Sequence, residues 1–308
     1  MLAELLTPKF IVVYVFLASA LFIHFRGRDR LRFARQLTDH STFTAPYNAL
    51  MYLFSAVPTT PRLAVDDFPD LAPLSAHWQV IREEARMLSD EGHIRKSDKH
   101  NDVAFNTFFK RGWKRFYLKW YGEPLPSARE LCPRTLRLIE SIPSINAAMF
   151  TFLPPQSRLG RHRDPFAGSL RYHLGLDTPN SDACRIYIDG EPYSWRDGEA
   201  VLFDETFIHS VENETDQSRL ILFCDVARPL RTPMMRALNH WVTRHVVKIS
   251  ATQNVDTEKV GVLNRVSSLV HRYGQLLERF KAWNRPLYYV SKWAAIAGGV
   301  YLVFFRWI

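Results

Sequence analysis

Three side chains in the second half of the chain have the types and spacing of transition-metal ligands. His162 and Asp164 are two residues apart, so on an extended segment both side chains face the same side. His209 adds a third donor, after a tight turn and beside a strand-like run. Two histidines and one carboxylate on one face leave three octahedral positions open, as in the facial triad of non-haem Fe(II) oxygenases. The pattern therefore predicts an iron site here, against the alternative that both histidines are surface or capping residues.

An arginine follows the third donor. Arg219 lies ten residues after His209, on the next strand-like run. A guanidinium can hold a carboxylate through two parallel hydrogen bonds. We therefore expect Arg219 to bind the far carboxylate of 2-oxoglutarate while the keto-acid end of that molecule binds the metal. Arg163, between the first two ligands, is expected to point the opposite way, to solvent or to an anionic substrate.

The segment that carries these residues has the composition of short β-strands separated by turns. Between residues 147 and 226 the strand-like runs are AAMFTFL, SLRYHLGL, CRIYI, EAVLF and RLILFCDV. Turn-forming pairs such as Asp189-Gly190 and Asp197-Gly198 separate them. Regularly spaced short strands favour a jelly roll. We predict a mainly β core, a double-stranded β-helix of the jelly-roll or cupin-like kind, with flanking helices.

Both ends of the chain carry apolar stretches bordered by basic residues. Residues 10–23 read FIVVYVFLASALFI and precede five arginines, at positions 26, 28, 30, 32 and 35. This order favours an uncleaved N-terminal transmembrane helix with its C-terminal side in the cytoplasm, against a buried core helix. Residues 294–305 follow a basic amphipathic segment, which predicts C-terminal membrane-associated helices, against packing on the protein's own core. The predicted organisation is an anchor at 1–35, a dioxygenase domain at 36–264 with its core at 113–229, and a membrane segment at 265–308.

Composition excludes several classes of protein. The 308 residues are 47% hydrophobic and 23% charged, with a mean hydropathy of -0.17, which excludes a disordered chain, a collagen-like fibre and a polytopic membrane protein. Three widely spaced cysteines form no CxxC pair, which indicates a reducing compartment. The net charge of +9 favours an anionic partner, but no zinc-finger spacing, aromatic RNA-binding pattern or lysine-rich tail points to nucleic acid.

The motifs also resemble a known family, the aspartyl/asparaginyl β-hydroxylases among the 2-oxoglutarate-dependent dioxygenases. The similarity covers residues 113–229 and rests on HRDPFAGSLRYHLGL from His162 and FDETFIHSVENETDQSR from Phe203, together with Cys132-Pro133, Trp195 and Asp225-Val226. Within that family the chain is most similar to the bacterial membrane-bound lipid A 2-hydroxylases.

The resemblance implies a role for each matching residue. His162 and His209 match iron-binding histidines, and Arg219 matches the residue that holds the 2-oxoglutarate carboxylate. Further matches to cosubstrate-contacting positions are Arg171, His173, Thr151 and Trp113. The animal peptidyl hydroxylases of the family have glycine where this chain has Asp164, so the retained carboxylate favours a full triad.

The resemblance further implies an activity. It is hydroxylation at C2 of a secondary acyl chain of lipid A, or of a lipopolysaccharide precursor, at the cytoplasmic face of the bacterial inner membrane. The reaction would use Fe(II), 2-oxoglutarate and O2, with ascorbate as a candidate reductant. Two alternatives stay open: a peptidyl aspartyl/asparaginyl β-hydroxylase, and a membrane-tethered jelly-roll binding module without redox activity.

Overall fold

The fold is built on ten β-strands. The computed structural model describes residues 7–96, 102, 105–250, 252–255, 257–258, 261–265 and 267–302. The strands are β1 (Arg62–Leu63), β2 (Lys114–Trp120), β3 (Ile145–Leu153), β4 (Ser157–His162), β5 (Ser169–Asp177), β6 (Cys184–Ile188), β7 (Glu191–Ser194), β8 (Ala200–Phe203), β9 (His209–Asn213) and β10 (Arg219–Ala227).

The strands form two antiparallel sheets whose order is that of a jelly roll. One sheet runs β1-β8-β5-β10-β3-β2 and the other β4-β9-β6-β7. Along the chain from β3 to β10, the strands pass back and forth between the two sheets. Apolar side chains fill the space between the sheets, and the strands β5 and β10 are buried along almost their whole length. This confirms the predicted mainly β jelly-roll core.

The five apolar runs of the sequence correspond to β3, β5, β6, β8 and β10. The sequence did not predict β4, β7 and β9 as strands, since SRLGRH, EPYS and HSVEN lack an apolar run. All three strands belong to the smaller sheet, with β4 and β7 at its edges and β9 between β4 and β6. Pairing with a neighbour replaces local hydrophobicity there as the cause of the extended conformation.

Helices surround the sheets. They are α1 (Pro8–Phe25), α2 (Phe33–Gln36), α3 (His40–Phe43), α4 (Ala45–Leu53), α5 (Ala72–Ala76), α6 (Trp78–Asp90), α7 (Asn106–Phe109), α8 (Pro126–Leu131), α9 (Pro133–Glu140), α10 (Pro233–Val242), α11 (Val262–Arg265), α12 (Ser267–Trp283) and α13 (Arg285–Tyr301). The apolar face of α6, with Ile81, Ala85 and Leu88, is buried in the main core. A second, smaller core joins α1, α4 and α10 through Ile23, Met51 and Met235.

The sequence predicts that the N-terminal helix crosses a membrane, within an anchor at residues 1–35. Within the residues described, no helix combines the length and the apolar character needed to cross a bilayer. Residues 1–6 of that anchor lie outside the described part of the chain. The last turns of α1 belong to the folded domain, because Ile23 and His24 are buried and the helix packs on α4. The C-terminal apolar stretch begins within α13, and its last residues, 303–305, lie outside the described part of the chain.

The arginines that follow α1 contact the jelly roll. The guanidinium of Arg26 donates to Asp204 at 2.6 Å and to Thr206 at 2.8 Å, and it stacks on the Tyr52 ring at 3.8 Å. Asp204 also accepts from the fully buried Arg228 at 2.7 Å. One buried carboxylate therefore joins the end of α1 to the strand that precedes the third candidate metal ligand. Oδ1 of Asp204 also accepts from the backbone nitrogen of Thr206 at 3.1 Å, within the turn that precedes His209.

We expect Asp204→Ala to destabilise the fold by about 3–5 kcal/mol, because two buried guanidiniums lose their partner. Burial opposes ionisation, but Arg228 and Arg26 hold the pKa of Asp204 well below its usual range. This contribution is therefore present above the unfolded pKa of about 4 and lost as the pH falls below it. Urea unfolding between about pH 3 and pH 7 measures both effects. The control is Glu191→Ala, which removes the exposed pair with Arg28 and should cost at most about 1 kcal/mol. Equal costs for the two variants would contradict this account.

Candidate metal and cosubstrate site

The three candidate ligands meet where β4 ends and β9 begins. His162 and His209 are opposite each other in the β4–β9 register, and their ring centroids are 4.2 Å apart. Asp164 lies in the loop that leaves β4, with its Oδ1 3.9 Å from Nε2 of His162. Ligand atoms of all three residues lie within 4.8 Å of one another. The fold thus brings together residues that are up to 47 positions apart in the sequence.

Backbone carbonyls orient both histidine rings. Nδ1 of His162 is 2.8 Å from the Gly160 carbonyl oxygen, and Nδ1 of His209 is 3.0 Å from that of Phe207. A carbonyl oxygen only accepts, so each Nδ1 carries the proton and donates it. The Nε2 lone pair of each ring is left for a metal, as is usual for histidine ligands.

The local charges favour the metal-binding forms of the ligands. Burial, together with neighbouring His162, lowers the pKa of His209 to about 3, so its imidazole is neutral at pH 7. Burial opposes ionisation of Asp164, but Arg171 and the two histidines lower the pKa of that carboxyl to about 2. Two imidazoles and one carboxylate fit a divalent transition metal with open coordination positions.

Arg171 lies behind the metal ligands in a buried cluster of ion pairs. Its Nη2 donates to Asp164 at 2.8 Å and also contacts Glu205, while its Nε donates to Asp225 at 2.8 Å. Tyr121 donates to the other oxygen of Asp225 at 2.7 Å. Burial raises the pKa of Glu205 well above its usual range, in spite of Arg171. The guanidinium thus fixes one oxygen of Asp164 and leaves the other, Oδ1, on the side of His162.

Arg219 is buried, and no acidic residue in the described part of the chain pairs with it. Only 2% of the residue is exposed, and its Nη2 donates to Thr151 Oγ1 at 3.3 Å. Its Nε has no hydrogen-bond partner, and no described carboxylate lies within 4.0 Å of it. Burial lowers the pKa of Arg219 to about 10, which still leaves it charged at pH 7. The indole of Trp195 lies under the guanidinium, 4.4 Å from its carbon. Burying a cation without an anionic partner is unfavourable, so we expect an anion to bind beside Arg219.

A second unsatisfied polar group lies beside this cation. His173 is 5% exposed, and neither of its ring nitrogens has a hydrogen-bond partner. Burial, with Arg171 and Arg219 nearby, holds the pKa of His173 well below its usual range, so the ring is neutral. A neutral imidazole can donate one hydrogen bond and accept another. The site therefore has unused hydrogen-bonding capacity next to Arg219.

All the candidate residues line one cavity. It is a small cavity of about 40 Å³ that is partly open to solvent. Its polar lining consists of Thr151, His162, Asp164, Arg171, His173, His209 and Arg219, and its apolar lining of Phe105, Phe108, Trp113, Leu159, Ile186, Phe203, Val211, Ile221 and Phe223. On β5 and β10 the residues that line the cavity are two positions apart, because successive side chains of a strand point to opposite faces. Every site residue predicted from the sequence thus borders the same space.

Arg163 does not point to solvent. It is 3% exposed, and its Nη1 donates to the Ile23 carbonyl oxygen near the end of α1 at 3.0 Å. Its own carbonyl oxygen bonds Nε2 of His40 at 2.8 Å. The alternation argument gave the correct side of the segment, opposite to the ligands, but that side is covered by α1 and α3.

Several residues of the site had no role in the sequence analysis. Glu205 and Asp225 lie inside the motifs quoted there, and the period-2 pattern of β10 places Asp225 on the cavity side. Phe108 sets its ring edge-on to His162, with centroids 4.9 Å apart, and Phe105 stacks on Trp113 at 5.0 Å. The sequence around residues 105–108 has no pattern that distinguishes these aromatic residues from ordinary core residues.

Comparisons with known proteins identify the family to which most of the jelly roll belongs. Residues 75–229, half of the chain, match the sequence profile of the Aspartyl/Asparaginyl beta-hydroxylase family. An ornithine lipid ester-linked acyl 2-hydroxylase of Rhizobium tropici is 37% identical over 169 residues, which are 54% of this chain and 60% of that protein. The human aspartyl/asparaginyl beta-hydroxylase is 29% identical over 170 residues, 53% of this chain and 22% of that protein. The chain therefore spans less than two thirds of these relatives.

Among solved structures, a prolyl-4-hydroxylase of Pseudomonas putida aligns with a TM-score of 0.35 and 20% identity, over 49% of this chain and 86% of that one. The family assignment rests instead on the profile match, which covers the metal-ligand triad and the unpaired arginine of the cavity. This chain belongs to the aspartyl/asparaginyl β-hydroxylase family.

Proposed function

We propose that this protein is an Fe(II)- and 2-oxoglutarate-dependent dioxygenase that hydroxylates carbon 2 of an ester-linked acyl chain in a bacterial membrane lipid. One observation carries the proposal: a His-Asp-His ligand set and an unpaired buried arginine open into the same cavity. A metal-chelating keto acid with a distant carboxylate would satisfy both.

Each polar residue of the cavity then has a task. His162, Asp164 and His209 would hold Fe(II), and Arg219 with Thr151 would take the distal carboxylate of 2-oxoglutarate. Arg171 would keep Asp164 ionised and oriented, and ascorbate would serve as a reductant. The bound metal would supply the activation of O2. One oxygen atom enters the C–H bond of the substrate and the other enters succinate, with release of CO2.

The lining of the cavity supports an apolar substrate. Once its polar residues are assigned to the metal and the cosubstrate, the remaining walls are aromatic or aliphatic. Among those walls no further charged group is available to bind a peptide carboxylate. An acyl chain, in contrast, needs only apolar contact.

Two lipid headgroups are candidates for the substrate. The sequence predicts lipid A as the substrate, with hydroxylation on a secondary acyl chain. The relative from Rhizobium tropici is named for an ornithine lipid. Both lipids carry an ester-linked acyl chain, and the reaction at C2 is the same. We place the enzyme at the cytoplasmic face of the inner membrane, where 2-oxoglutarate and Fe(II) are available.

Purified protein, incubated with Fe(II), 2-oxoglutarate, ascorbate and total bacterial lipid, should form succinate and add one oxygen to an acyl chain. Mass spectrometry with fragmentation locates the oxygen at C2 and identifies the headgroup. His162→Ala should lose both products, while replacement of the half-buried His93, which lies outside the cavity, by alanine should keep both.

The remaining outcomes separate the alternatives. Succinate without lipid oxidation would reject the lipid substrate and favour peptides, as for the human relative. Absence of binding of both iron and 2-oxoglutarate would reject the enzyme and favour a binding module.

A further inference from the structure

Three helices on one side of the jelly roll expose apolar side chains that nothing in the described chain covers. We call α1, α4 and α10 the helical layer. Their inner faces share the smaller core, with Ile23, Met51 and Met235 buried. Their outer faces expose Ile11, Val12, Val15, Leu21, Phe22 and Phe25 on α1, Leu50 and Leu53 on α4, and Met234 and Trp241 on α10. The exposed fractions are large, 63% for Leu53 and 69% for Met234.

These outer faces form a connected surface. The helix α1 packs along α4, and α4 contacts α10. The end of α4 and the start of α10 are also tied together, because Arg231 donates from its backbone nitrogen to the Phe54 carbonyl at 2.9 Å. Contiguous exposed apolar surface of this kind marks an interaction site for protein or membrane.

The charged residues of the helical layer are basic and not acidic. Residues 8–28, 40–65 and 228–250 contain none of the 31 Asp and Glu residues of the chain. The same segments contain basic residues that are exposed at or near α10: Arg231, Arg236, Arg244 and Lys248. An apolar surface with a basic border and with tryptophan at its edge is typical of the interface of an anionic bilayer.

A second copy of the chain fits this surface poorly. Face-to-face contact of two helical layers would bring like charges together, and the layer has no acidic residue to pair with them. Anionic lipid headgroups complement the basic border, while acyl chains cover the apolar side chains.

We infer that the helical layer lies in the surface of an anionic lipid bilayer, with α4 and α10 embedded beside α1. The layer also holds the metal-ligand loop. Asn48 donates to the Pro165 carbonyl and accepts from the Ala167 nitrogen at 2.9 Å each, and Asn239 donates to the Gly168 carbonyl at 2.8 Å. One helix thickness, about 10 Å, therefore separates the bilayer from the loop that carries Asp164. The inference deepens the proposed function, on which it rests for the lipid substrate.

Site-specific fluorescence on the full chain tests it. The three native cysteines are buried, so a cysteine introduced at Leu53 or Met234 can be labelled selectively with an environment-sensitive dye. On vesicles of phosphatidylcholine with phosphatidylglycerol, dyes at both positions should shift to shorter wavelength and be quenched by lipids brominated on their acyl chains. A dye at Asp216→Cys, on the exposed β9–β10 turn, should do neither. Dyes at 53 and 234 that behave like the dye at 216 on bound protein would overturn the inference.

A charge-insertion variant gives a second readout. Leu53→Glu with Met234→Glu should weaken vesicle binding by about ten- to hundredfold, and added salt should weaken the wild type. Met87→Glu, an exposed methionine on α6 outside the layer, should bind as wild type. Circular dichroism and succinate formation without lipid check that the variants are folded. Unchanged binding by the double variant, with lipid oxidation intact, would reject the embedded layer and keep the proposed function. Weakened binding in a protein that oxidises no lipid would reject that function and keep the layer.

Discussion

Replacing His209 with alanine should reduce 2-oxoglutarate turnover by about a thousandfold or more, because a metal held by two protein ligands is bound weakly and without a fixed geometry. His162→Ala should have the same effect, since the two rings are equivalent in the β4–β9 register. Succinate formation and Fe(II) binding by calorimetry are to be measured on each variant. Both quantities should fall together.

The control shows that the loss is local. The Tm of the His209→Ala variant should stay within a few degrees of the wild type, because the ring packs around a site rather than in the main core. Asp164→Ala tests the third ligand separately. Full activity in that variant would show that two histidines suffice and that the carboxylate is not a ligand.

Arg219→Met should raise the KM for 2-oxoglutarate by about a hundredfold, because a buried cation that pairs with a carboxylate contributes about 2–5 kcal/mol. The methionine keeps the apolar length of the side chain over Trp195 but removes the charge. The kcat at saturating 2-oxoglutarate should change much less, since Arg219 would hold the end of the molecule that does not react. Succinate formation over a range of 2-oxoglutarate concentrations separates the two constants.

Two further variants make this test specific. Arg158→Met removes an exposed arginine from β4 and should leave the KM unchanged. Arg219→Lys should restore part of the affinity, because a lysine keeps the charge but not the two-pronged geometry. A KM that is unchanged in Arg219→Met would mean that another cation holds the carboxylate. Arg171 lines the same cavity, but its guanidinium already contacts three acidic side chains, those of Asp164, Glu205 and Asp225.

The sequence alone predicted the parts of the molecule that depend on local patterns. The apolar runs of β3, β5 and β10 are buried strands, and their β-branched and aromatic residues fit the pleated surface of a sheet. The separation of His162 and Asp164 by one residue places both side chains on one face wherever the backbone is extended. The ten-residue interval to Arg219 gave a second candidate for the same cavity. These inferences needed only the period of a strand and the chemistry of the side chains.

Only the tertiary structure decided what lies against those strands. Arg163 was expected to face solvent or an anionic substrate, and Arg26 to border a membrane anchor. Arg163 is instead buried against α1, and the side chain of Arg26 is largely buried against Asp204. An arginine's partner depends on which distant segment packs over it, and a sequence pattern with a period of two residues cannot specify that. The same limit applies to Glu205, whose pairing with Arg171 requires β5 and β8 to be neighbours. Strand pairing fixes such contacts because it brings together charged side chains that are tens of residues apart in the sequence. Burial then strengthens the interaction between those charges.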